Sequence, residues 1–360
     1  MAHSAPAFFR SGVAAALAAA LLFGAGAPLA KLLLQAISPW LMAGLLYLGA
    51  GAGLLLYRAV RRAPPVHLPR GQWRWLAAAV LCGGVVGPVL LMLGLAGMPA
   101  VSASLLLNAE GVFTALLAWF VFRENFDRRI ALGMGLIVAG TLVLAWPGAT
   151  DGLAPGLPLL AVLGACMAWA LDNNFTRKIA LNDATWIAAV KGLVAGSANL
   201  VLALLAERLG WIAPSPALAS LGSALPLALL LGLLSYGVSL SLFVYALRQL
   251  GTARTGAYFS AAPFFGALLA VVLGEPLTVP LLLAGALMAA GVWLHLSERH
   301  AHQHSHAVTT HGHPHTHDEH HQHRHDFAWD GTEPHTHAHA HAPLQHSHPH
   351  YPDAHHRHGH

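Results

Sequence analysis

Long apolar blocks make up most of the chain, and they limit its fold more than any other feature. Each block holds about 20 residues, the length that a helix needs to cross about 30 Å of hydrocarbon. Of the 360 residues, 56% are hydrophobic and only 9% are charged, whereas soluble domains carry about 25% charged residues. The pattern therefore predicts an all-α membrane protein. Its ten transmembrane helices are expected at roughly 12–32, 38–58, 73–96, 99–122, 129–146, 157–176, 184–206, 223–246, 253–273 and 279–297.

Lysine and arginine are distributed unevenly between these spans. If the N-terminus is cytoplasmic, the inner segments up to Arg299 hold fourteen basic residues and the outer segments hold two, Lys31 and Arg208. Cytoplasmic loops of membrane proteins carry the excess of Lys and Arg. We therefore expect both termini in the cytoplasm and the spans in a bacterial-type inner (plasma) membrane. A cleaved signal peptide at the first span is an alternative, because Arg10 precedes an apolar run that ends in small residues.

Two pairs of motifs recur at a spacing of about 151 residues. The sequence "NAEGVFTALLA" (108–118) aligns with "SAAPFFGALLA" (260–270), and "LGMGLIVAG" (132–140) aligns with "LAGALMAAG" (283–291). The spacing is half of the membrane region, so each half holds five spans, and an odd number turns the second half upside down. This predicts two inverted five-helix repeats with a substrate site between them near the bilayer midplane. The expected domains are 1–150, 151–298 and a tail, 299–360.

Three GxxxG patterns occur within the spans. Such patterns allow helices to pack closely, although chance in a glycine-rich chain explains any one of them equally well. They are Gly49–Gly53, Gly83–Gly87 and Gly192–Gly196. We expect kinks where proline lies inside a span, at Pro88 and Pro263.

Three stretches carry a recognisable family pattern: "LLLNAEGVFTALLAWFVFRE" (105–124), "WALDNNFTRKIA" (169–180) and "APFFGALLAVVLGEPLT" (262–278). With its ten spans, the chain resembles the EamA-type members of the drug/metabolite transporter superfamily over 12–297. The most specific shared element is the glutamate that ends spans four and nine, Glu124 and Glu275. Family members often have proline after the glutamate within span four, where this chain has Gly111. The resemblance implies an inner-membrane carrier, commonly an exporter of small metabolites, with a cavity between its halves.

Charged side chains deep inside spans are the best candidates for a transport site. Each costs about 2.5–3.5 kcal/mol at mid-membrane on insertion scales, so it should face the bundle interior or a wet cavity. Glu110 lies in the middle of span four, where it could take up and release a proton; a structural acid paired with a lysine is the alternative. Lys191 lies in span seven and could bind a substrate carboxylate or pair with Glu110 or Asp172.

Asp172 begins a polar run late in span six. It could orient a polar substrate, or it could form an interfacial salt bridge with Arg177 or Lys178, and the sequence favours neither. The amides that complete the predicted substrate or coupling site are Asn108, Asn173 and Asn199. Aromatic residues such as Trp169 and Tyr236 could line a cavity, but lipid contact is the commoner role for any one of them.

Glu124 and Glu275 lie at span ends, on opposite sides of the predicted topology. We expect them to cap helices or lie in loops rather than to gate. The sequence has no nucleophile–His–acid arrangement and no GxxxxGK[ST] phosphate loop, so we predict that the protein is not an enzyme.

The C-terminal segment differs from everything before it. From His300 to His360, 23 of 61 residues are histidine, and few are apolar. Such composition predicts a disordered tail. Neutral imidazole binds Zn²⁺, Ni²⁺, Co²⁺ and Cu²⁺, so the tail is expected to bind divalent metal at many adaptable sites. The predicted ligands are His302, His304, His306, His311, His313, His315, His317, His320, His321, His323, His325, His335, His337, His339 and His341.

The sequence favours a secondary-active transporter that exports a small polar metabolite, such as an amino acid, by alternating access. We expect it to require no cofactor and to meet a small-molecule substrate, membrane lipid and divalent metal ions, but no nucleic acid; a homodimer is an open possibility. One alternative is an exporter of Zn, Ni or Co, or of a metal chelate, that captures its cargo with the tail. Against it, His295 is the only histidine in the spans. The other alternative is a membrane-anchored metal store that does not transport.

Overall fold

A computed structural model describes residues 7–66, 68–122, 128–146, 156–179, 182–212, 221–250 and 252–296, together with four tail segments, 301–306, 309–315, 335–341 and 344–349. The chain forms two compact units, Met1–Ser297 and Glu298–His360. The regular structure described in the first unit is entirely helical. Its α-helices are α1 Ala7–Leu33, α2 Pro39–Val60, α3 Trp73–Ala79, α4 Gly87–Gly97, α5 Ala100–Leu106, α6 Ala109–Phe122, α7 Arg128–Ala145, α8 Leu157–Arg177, α9 Ala184–Arg208, α10 Ala224–Gly232, α11 Ser239–Leu250, α12 Thr252–Phe259, α13 Ala262–Val272 and α14 Val279–Leu296.

Much of this unit is long and apolar enough to cross a membrane. Six stretches qualify by length and composition among the described residues: Gly12–Leu33, Pro39–Val60, Arg70–Gly97, Ala100–Leu117, Ala184–Arg208 and Ala224–Ala246. Shorter apolar helices lie at Ala131–Ala145, Ala262–Val272 and Val279–Leu294. The prediction of an all-α membrane fold is confirmed for this unit, while the count of ten crossings stays a prediction.

Four of the predicted spans are not continuous α-helices. A first π segment, Val80–Val86, joins α3 to α4, and a second, Leu233–Val238, joins α10 to α11. Between α5 and α6 the helix is interrupted at 107–108, and between α12 and α13 it is interrupted at 260–261. Such irregularities are frequent at functional sites because they free backbone groups from the helix.

Proline determines where two of these irregularities lie. Pro88 stands at the start of α4, directly after the first π segment, and Pro263 stands at the start of α13, directly after an interruption. Proline has no N–H to donate and its ring crowds the preceding turn. A helix irregularity thus precedes each proline, and the kinks themselves stay a prediction.

Glycines let the helices of this unit approach backbone to backbone. A Cβ added at Gly192 of α9 would lie 2.6 Å from the Gly51 Cα of α2, and one at Gly196 would lie 2.6 Å from the Leu48 backbone nitrogen. Gly49 approaches α10 in the same way. These GxxxG patterns lie at helix contacts, as their spacing predicts.

An ion pair ties α2 to the start of α9. The Arg58 guanidinium lies 2.6 Å from the Asp183 carboxylate, which also accepts hydrogen bonds from the Thr185 and Trp186 amides. Partial burial of Asp183 opposes its ionisation, but the bonds from Thr185, Arg58 and Trp186 outweigh this and lower its pKa from 3.8 to about 2. Asp183 therefore stabilises this end of the bundle at all pH values above about 4 and loses that effect only as pH falls toward 2.

Four short strands form in the second unit, where we expected a wholly disordered tail. They are β1 Ala301–His306, β2 Thr309–His315, β3 His335–His341 and β4 Leu344–Pro349. β1 pairs with β4 and β2 pairs with β3, both antiparallel. The prediction of disorder used composition alone and stays a prediction for the tail as a whole. Histidine at every second position also has the period of a strand.

Substitution of Gly192 by valine tests the close packing of α2 on α9. The added side chain must displace backbone of α2, so we expect a loss of about 1–3 kcal/mol in stability and a Tm several degrees lower. Gly135→Ala is the matched control, because a Cβ there meets nothing within 4 Å. Thermal unfolding in detergent measures both, and equal Tm values for the two variants would contradict the packing described.

Candidate functional site

Four polar side chains of the predicted site, carried by α6, α8 and α9, lie together. The Asn173 amide nitrogen donates to Glu110 Oε1 over 2.8 Å. The Lys191 ammonium lies 2.6 Å from each carboxylate oxygen of Asp172. Because Asp172 and Asn173 are neighbours on α8, this one helix turn connects α6 on one side to α9 on the other.

The partner of Lys191 is therefore Asp172 rather than Glu110. The side chains of Asp172 and Lys191 are only 11% and 15% exposed, and Thr176 donates a further hydrogen bond to Asp172. A buried pair with both members present is tolerated, whereas removal of one member leaves an uncompensated charge that costs about 3–5 kcal/mol. Asp172 therefore belongs to a buried polar cluster, and its part in orienting a substrate stays a prediction.

Glu110 is placed differently. It lies in the first turn of α6, directly after the helix interruption, and is half-buried. Its hydrogen-bond partner Asn173 is exposed. Among the described residues no lysine or arginine forms a salt bridge with Glu110. Glu110 retains a carboxylate oxygen that can accept from a ligand.

The first π segment supplies the backbone against which this cluster packs. In π geometry the carbonyl of Gly83 would accept from residue 88, but Pro88 has no N–H. Two side chains bond this carbonyl instead: the Tyr47 hydroxyl over 2.6 Å and the Trp169 indole over 3.0 Å. A side chain at Gly83 would collide with the Asp172 carboxylate. The sequence "CGGVVGP" thus makes space for Asp172 and fixes two aromatic residues beside it.

The other two predicted amides have separate roles. Asn199 is fully buried and donates to the Gly84 carbonyl over 2.9 Å, which attaches α9 to the first π segment. Asn108 is buried at the interruption before α6 and donates to the Leu105 carbonyl over 2.8 Å. The structure does not bring Asn108 into the cluster, because its amide replaces a helix hydrogen bond.

Aromatic rings lie next to the polar cluster, and sequence reasoning did not select most of them. The rings of Tyr47 and Tyr236 are 5.5 Å apart, Phe23 lies 5.7 Å from Tyr236, and Phe259 lies 5.4 Å from Phe23 and 4.8 Å from Phe243. These five rings are called the aromatic cluster below. No periodicity distinguishes them from lipid-facing aromatics; only the helix packing brings them together.

Two further predictions concern the span-end glutamates. The carboxylate of Glu275 accepts hydrogen bonds from the backbone amides of Ala100 and Val101, each over 2.7 Å, so it caps the start of α5 as predicted. That it plays no part in gating stays a prediction. Glu124 lies outside the described residues. So do His317, His320, His321, His323 and His325 of the tail.

A bundle of apolar helices that encloses a polar cluster beside interrupted helices defines a membrane transporter. The sequence profile of the EamA-like transporter family matches residues 10–146 and again 156–297. The chain therefore belongs to the EamA-like transporter family and contains two copies of its repeat, as the resemblance predicted. It is an integral membrane protein.

Known relatives are consistent with this assignment. The chain is 29% identical over 300 residues to an uncharacterised transporter of Methanothermobacter thermautotrophicus, covering 79% of this chain and 85% of that protein. It is 32% identical over 210 residues to a probable amino-acid metabolite efflux pump of Salmonella typhimurium, covering 56% of this chain and 68% of the pump. A crystal structure at 21% identity superposes with a TM-score of 0.58 over 78% of this chain and 95% of that one, which shows a shared fold.

A double-mutant cycle tests the buried pair of Asp172 and Lys191. We expect Asp172→Asn and Lys191→Met each to lower stability by about 3–5 kcal/mol, because each leaves one buried charge alone. The double variant should lose less than the sum of the two, since no lone charge remains. Thermal unfolding in detergent measures all three, and strictly additive losses would show that the two side chains do not interact.

Proposed function

We propose that the protein is a secondary-active exporter of small polar metabolites of the amino-acid class, and that it works by alternating access. The observation that carries this proposal is the position of Glu110: a carboxylate without an ionic partner among the described residues, next to an exposed amide. The polar side chains of Asp172, Asn173 and Lys191 lie on one side of Glu110, and the aromatic cluster lies on the other. An amino acid has the same division between a charged end and a side chain.

Charge in the cluster favours a substrate with an amino group. Lys191 neutralises Asp172, so the net charge of the four side chains comes from Glu110 when it is ionised. A substrate ammonium would pair with Glu110, and the Asn173 amide would bond the same group or the adjoining carboxylate. Lys191 keeps a third N–H for a substrate carboxylate, because Asp172 uses two of its donors.

The aromatic cluster suits the apolar part of such a substrate. Tyr47 belongs to both surfaces: its hydroxyl bonds Gly83 beside Asp172, while its ring lies against Tyr236. Aromatic faces also attract ammonium groups. A single carboxylate with an amide beside rings is a poor metal site, since divalent metals need several converging ligands. The arrangement therefore supports metabolite transport better than metal transport.

Alternating access is supported by the way the two repeats pack. Spans three and four of the first repeat both pack on span six, the first span of the second repeat. In the same way, spans eight and nine of the second repeat both pack on span one, the first span of the first repeat. The π segments lie in spans three and eight, and the interruptions lie in spans four and nine. We infer that the halves are inverted repeats related by a two-fold axis, which can rock about the site between them. With both termini in the cytoplasm, Arg58 faces the cytoplasm and Lys31 faces the outside of the inner membrane.

Glu110 is also the candidate coupling group. If it exchanges a proton for the substrate ammonium, the site alternates between two neutral states, and neither a bare carboxylate nor a bare ammonium has to cross the bilayer. The Salmonella typhimurium relative, called a probable amino-acid metabolite efflux pump, supports the direction and the substrate class.

For the tail, we propose that the paired strands bind divalent metal. The antiparallel register sets histidine opposite histidine five times: His302 with His348, His304 with His346, His311 with His339, His313 with His337, and His315 with His335. Opposed residues have Cα atoms about 4.5–5.5 Å apart, and residues two apart share a face. Two neighbouring pairs thus bring four histidine positions to one face of the paired strands, and four is the number of ligands that Zn²⁺ commonly takes.

Counterflow in proteoliposomes tests the proposed transport function. We expect vesicles loaded with unlabelled amino acid to take up labelled amino acid, and Glu110→Gln to lose at least about 90% of the rate because it removes the charge that holds the ammonium. Gly135→Ala, far from any neighbour, should transport like the unaltered chain. If Glu110→Gln transports every tested amino acid at the unaltered rate, Glu110 does not bind the substrate.

Metal titration tests the tail and the alternative of metal export together. We expect the full chain in detergent to bind several Zn²⁺ at pH 7.5 and few at pH 5.5, because histidine protonates near pH 6.5 and then cannot coordinate metal. Alanine at His335, His337 and His339 should remove more sites than alanine at His355, His356 and His358, which lie outside the described strands.

The same variants address metal export in cells. Cell-associated zinc, nickel and cobalt are measured under metal load with the full chain, a chain ending at Glu298, and Glu110→Gln. Under the proposal, metal does not fall, or it rises only when the tail is present. A fall that both variants abolish would make the protein a metal exporter.

A further inference from the structure

The end of the bundle that carries Lys31 is fastened by Glu275, a residue that the transport site itself does not use. We propose that Glu275 is a latch that keeps this end of the transport path closed. It does so by hydrogen bonds to the corner between α4 and α5, which comprises the end of α4, residues 98–99 and the start of α5. This inference rests on the proposed function, because only a carrier that alternates needs a contact that opens and closes.

The hydrogen bonds of Glu275 join the second repeat to the first. Glu275 Oε1 and Oε2 accept from the Ala100 and Val101 amides, residues 175 and 174 positions away in sequence. These amides belong to the first turn of α5, where a helix has no internal partner for its N–H groups. Pro99 precedes them and has no side-chain donor or acceptor, so the helix start depends on the distant carboxylate.

The chain is shaped to present this carboxylate. Gly274 has φ +105°, a backbone conformation that side chains rarely adopt. The Gly274 and Glu275 amides bond back to Val271 and Ala270, which ends α13 and turns the chain toward α5. The dipeptide Gly274–Glu275 therefore combines a turn with a cap for another helix.

A second side chain holds the other half of the same corner. The Lys31 ammonium, near the end of α1, donates to the Leu95 and Met98 carbonyls over 2.6 and 2.7 Å. These carbonyls belong to the end of α4, which lacks internal partners for its last C=O groups. The corner is thus bonded by an acid on its amides and by a base on its carbonyls, both from helices that pack on each other, α1 and α13.

Movement of this corner would reach the transport site directly. At its other end α4 begins at the first π segment, whose Gly83 carbonyl orients Tyr47 and Trp169. At its other end α5 stops at the interruption that precedes Glu110. The two short helices therefore connect the latch to both sides of the polar cluster, and their separation from α1 and α13 would open a path to it.

The contact is of a kind that can open reversibly. Glu275 is half-buried and lies outside the apolar helices, so water can replace the protein donors when the contact breaks. Charge-assisted hydrogen bonds of this kind are strong enough to bias an equilibrium and weak enough to be exchanged. The α2–α9 contact contrasts with it, because backbone packs directly on backbone there.

Side-specific labelling tests the latch. Asn173→Cys serves as the reporter in a chain with Cys82→Ser and Cys166→Ala, and the probe is a membrane-impermeant maleimide on right-side-out and inside-out vesicles. Gln35→Cys, in the exposed turn after α1, identifies the vesicles whose Lys31 end faces the probe. From that side we expect Glu275→Ala to raise the labelling rate of the reporter about tenfold, because loss of the charge-assisted bonds shifts the population toward the open state.

Asp183→Ala is the matched control. It removes a carboxylate that also caps two helix amides, but within its own helix and at the Arg58 end. Glu275→Ala should lower Tm modestly, as the loss of a cap does, and Asp183→Ala should lower it further because it also leaves the buried Arg58 without its ionic partner. Only Glu275→Ala should change labelling from the Lys31 side. Glu275→Gln, which keeps the size and one acceptor, should fall between the unaltered chain and Glu275→Ala.

The outcomes separate the latch from the transport function. If Glu275→Ala lowers Tm but leaves labelling from the Lys31 side unchanged, as Asp183→Ala does, Glu275 is a structural cap and the latch is overturned. If Glu275→Ala opens the Lys31 side while the unaltered chain shows no amino-acid counterflow, the latch stands and the proposed substrate class fails.

Discussion

Every polar backbone group carried into the hydrocarbon must find a partner, and in this protein the carbonyl of Gly83 meets that requirement with side chains. Because Pro88 withholds the N–H that would satisfy it, Tyr47 and Trp169 bond it instead. The neighbouring Gly84 carbonyl is bonded by Asn199 in the same way. Because this one N–H is missing, side chains on helices of both repeats bond the backbone of the first π segment.

The polar cluster follows from that arrangement. Glycine at position 83 leaves space for the Asp172 carboxylate, and Asp172 in turn makes a buried Lys191 tolerable. With these two charges paired, Glu110 is left as the carboxylate that can respond to a ligand or a proton. The buried pair of Asp172 and Lys191 therefore maintains the shape of the site, and the half-buried Glu110 provides its reactive group.

Much of this could be predicted from the sequence, because the bilayer imposes simple rules. Apolar blocks of membrane length gave the helical class, and charges inside spans identified Glu110, Asp172 and Lys191. The pairing was not predictable, since two acids were equally available to Lys191 in one dimension. Apart from Tyr236, the aromatic cluster was missed because Phe23 and Phe259 look like lipid-facing residues until helices are packed. For the tail, composition alone predicts disorder, whereas the alternation of histidine also fits the period of the four described strands.

The central claim is that a substrate ammonium binds Glu110 while its side chain contacts the aromatic cluster. The most direct measurement is an experimental structure of the full chain with a transported amino acid bound. We predict density for the amino group within about 3 Å of the Glu110 carboxylate, with the apolar end against Tyr47 and Tyr236. Density at another place in the bundle, or a Glu110 side chain that faces lipid in the bound state, would contradict this account.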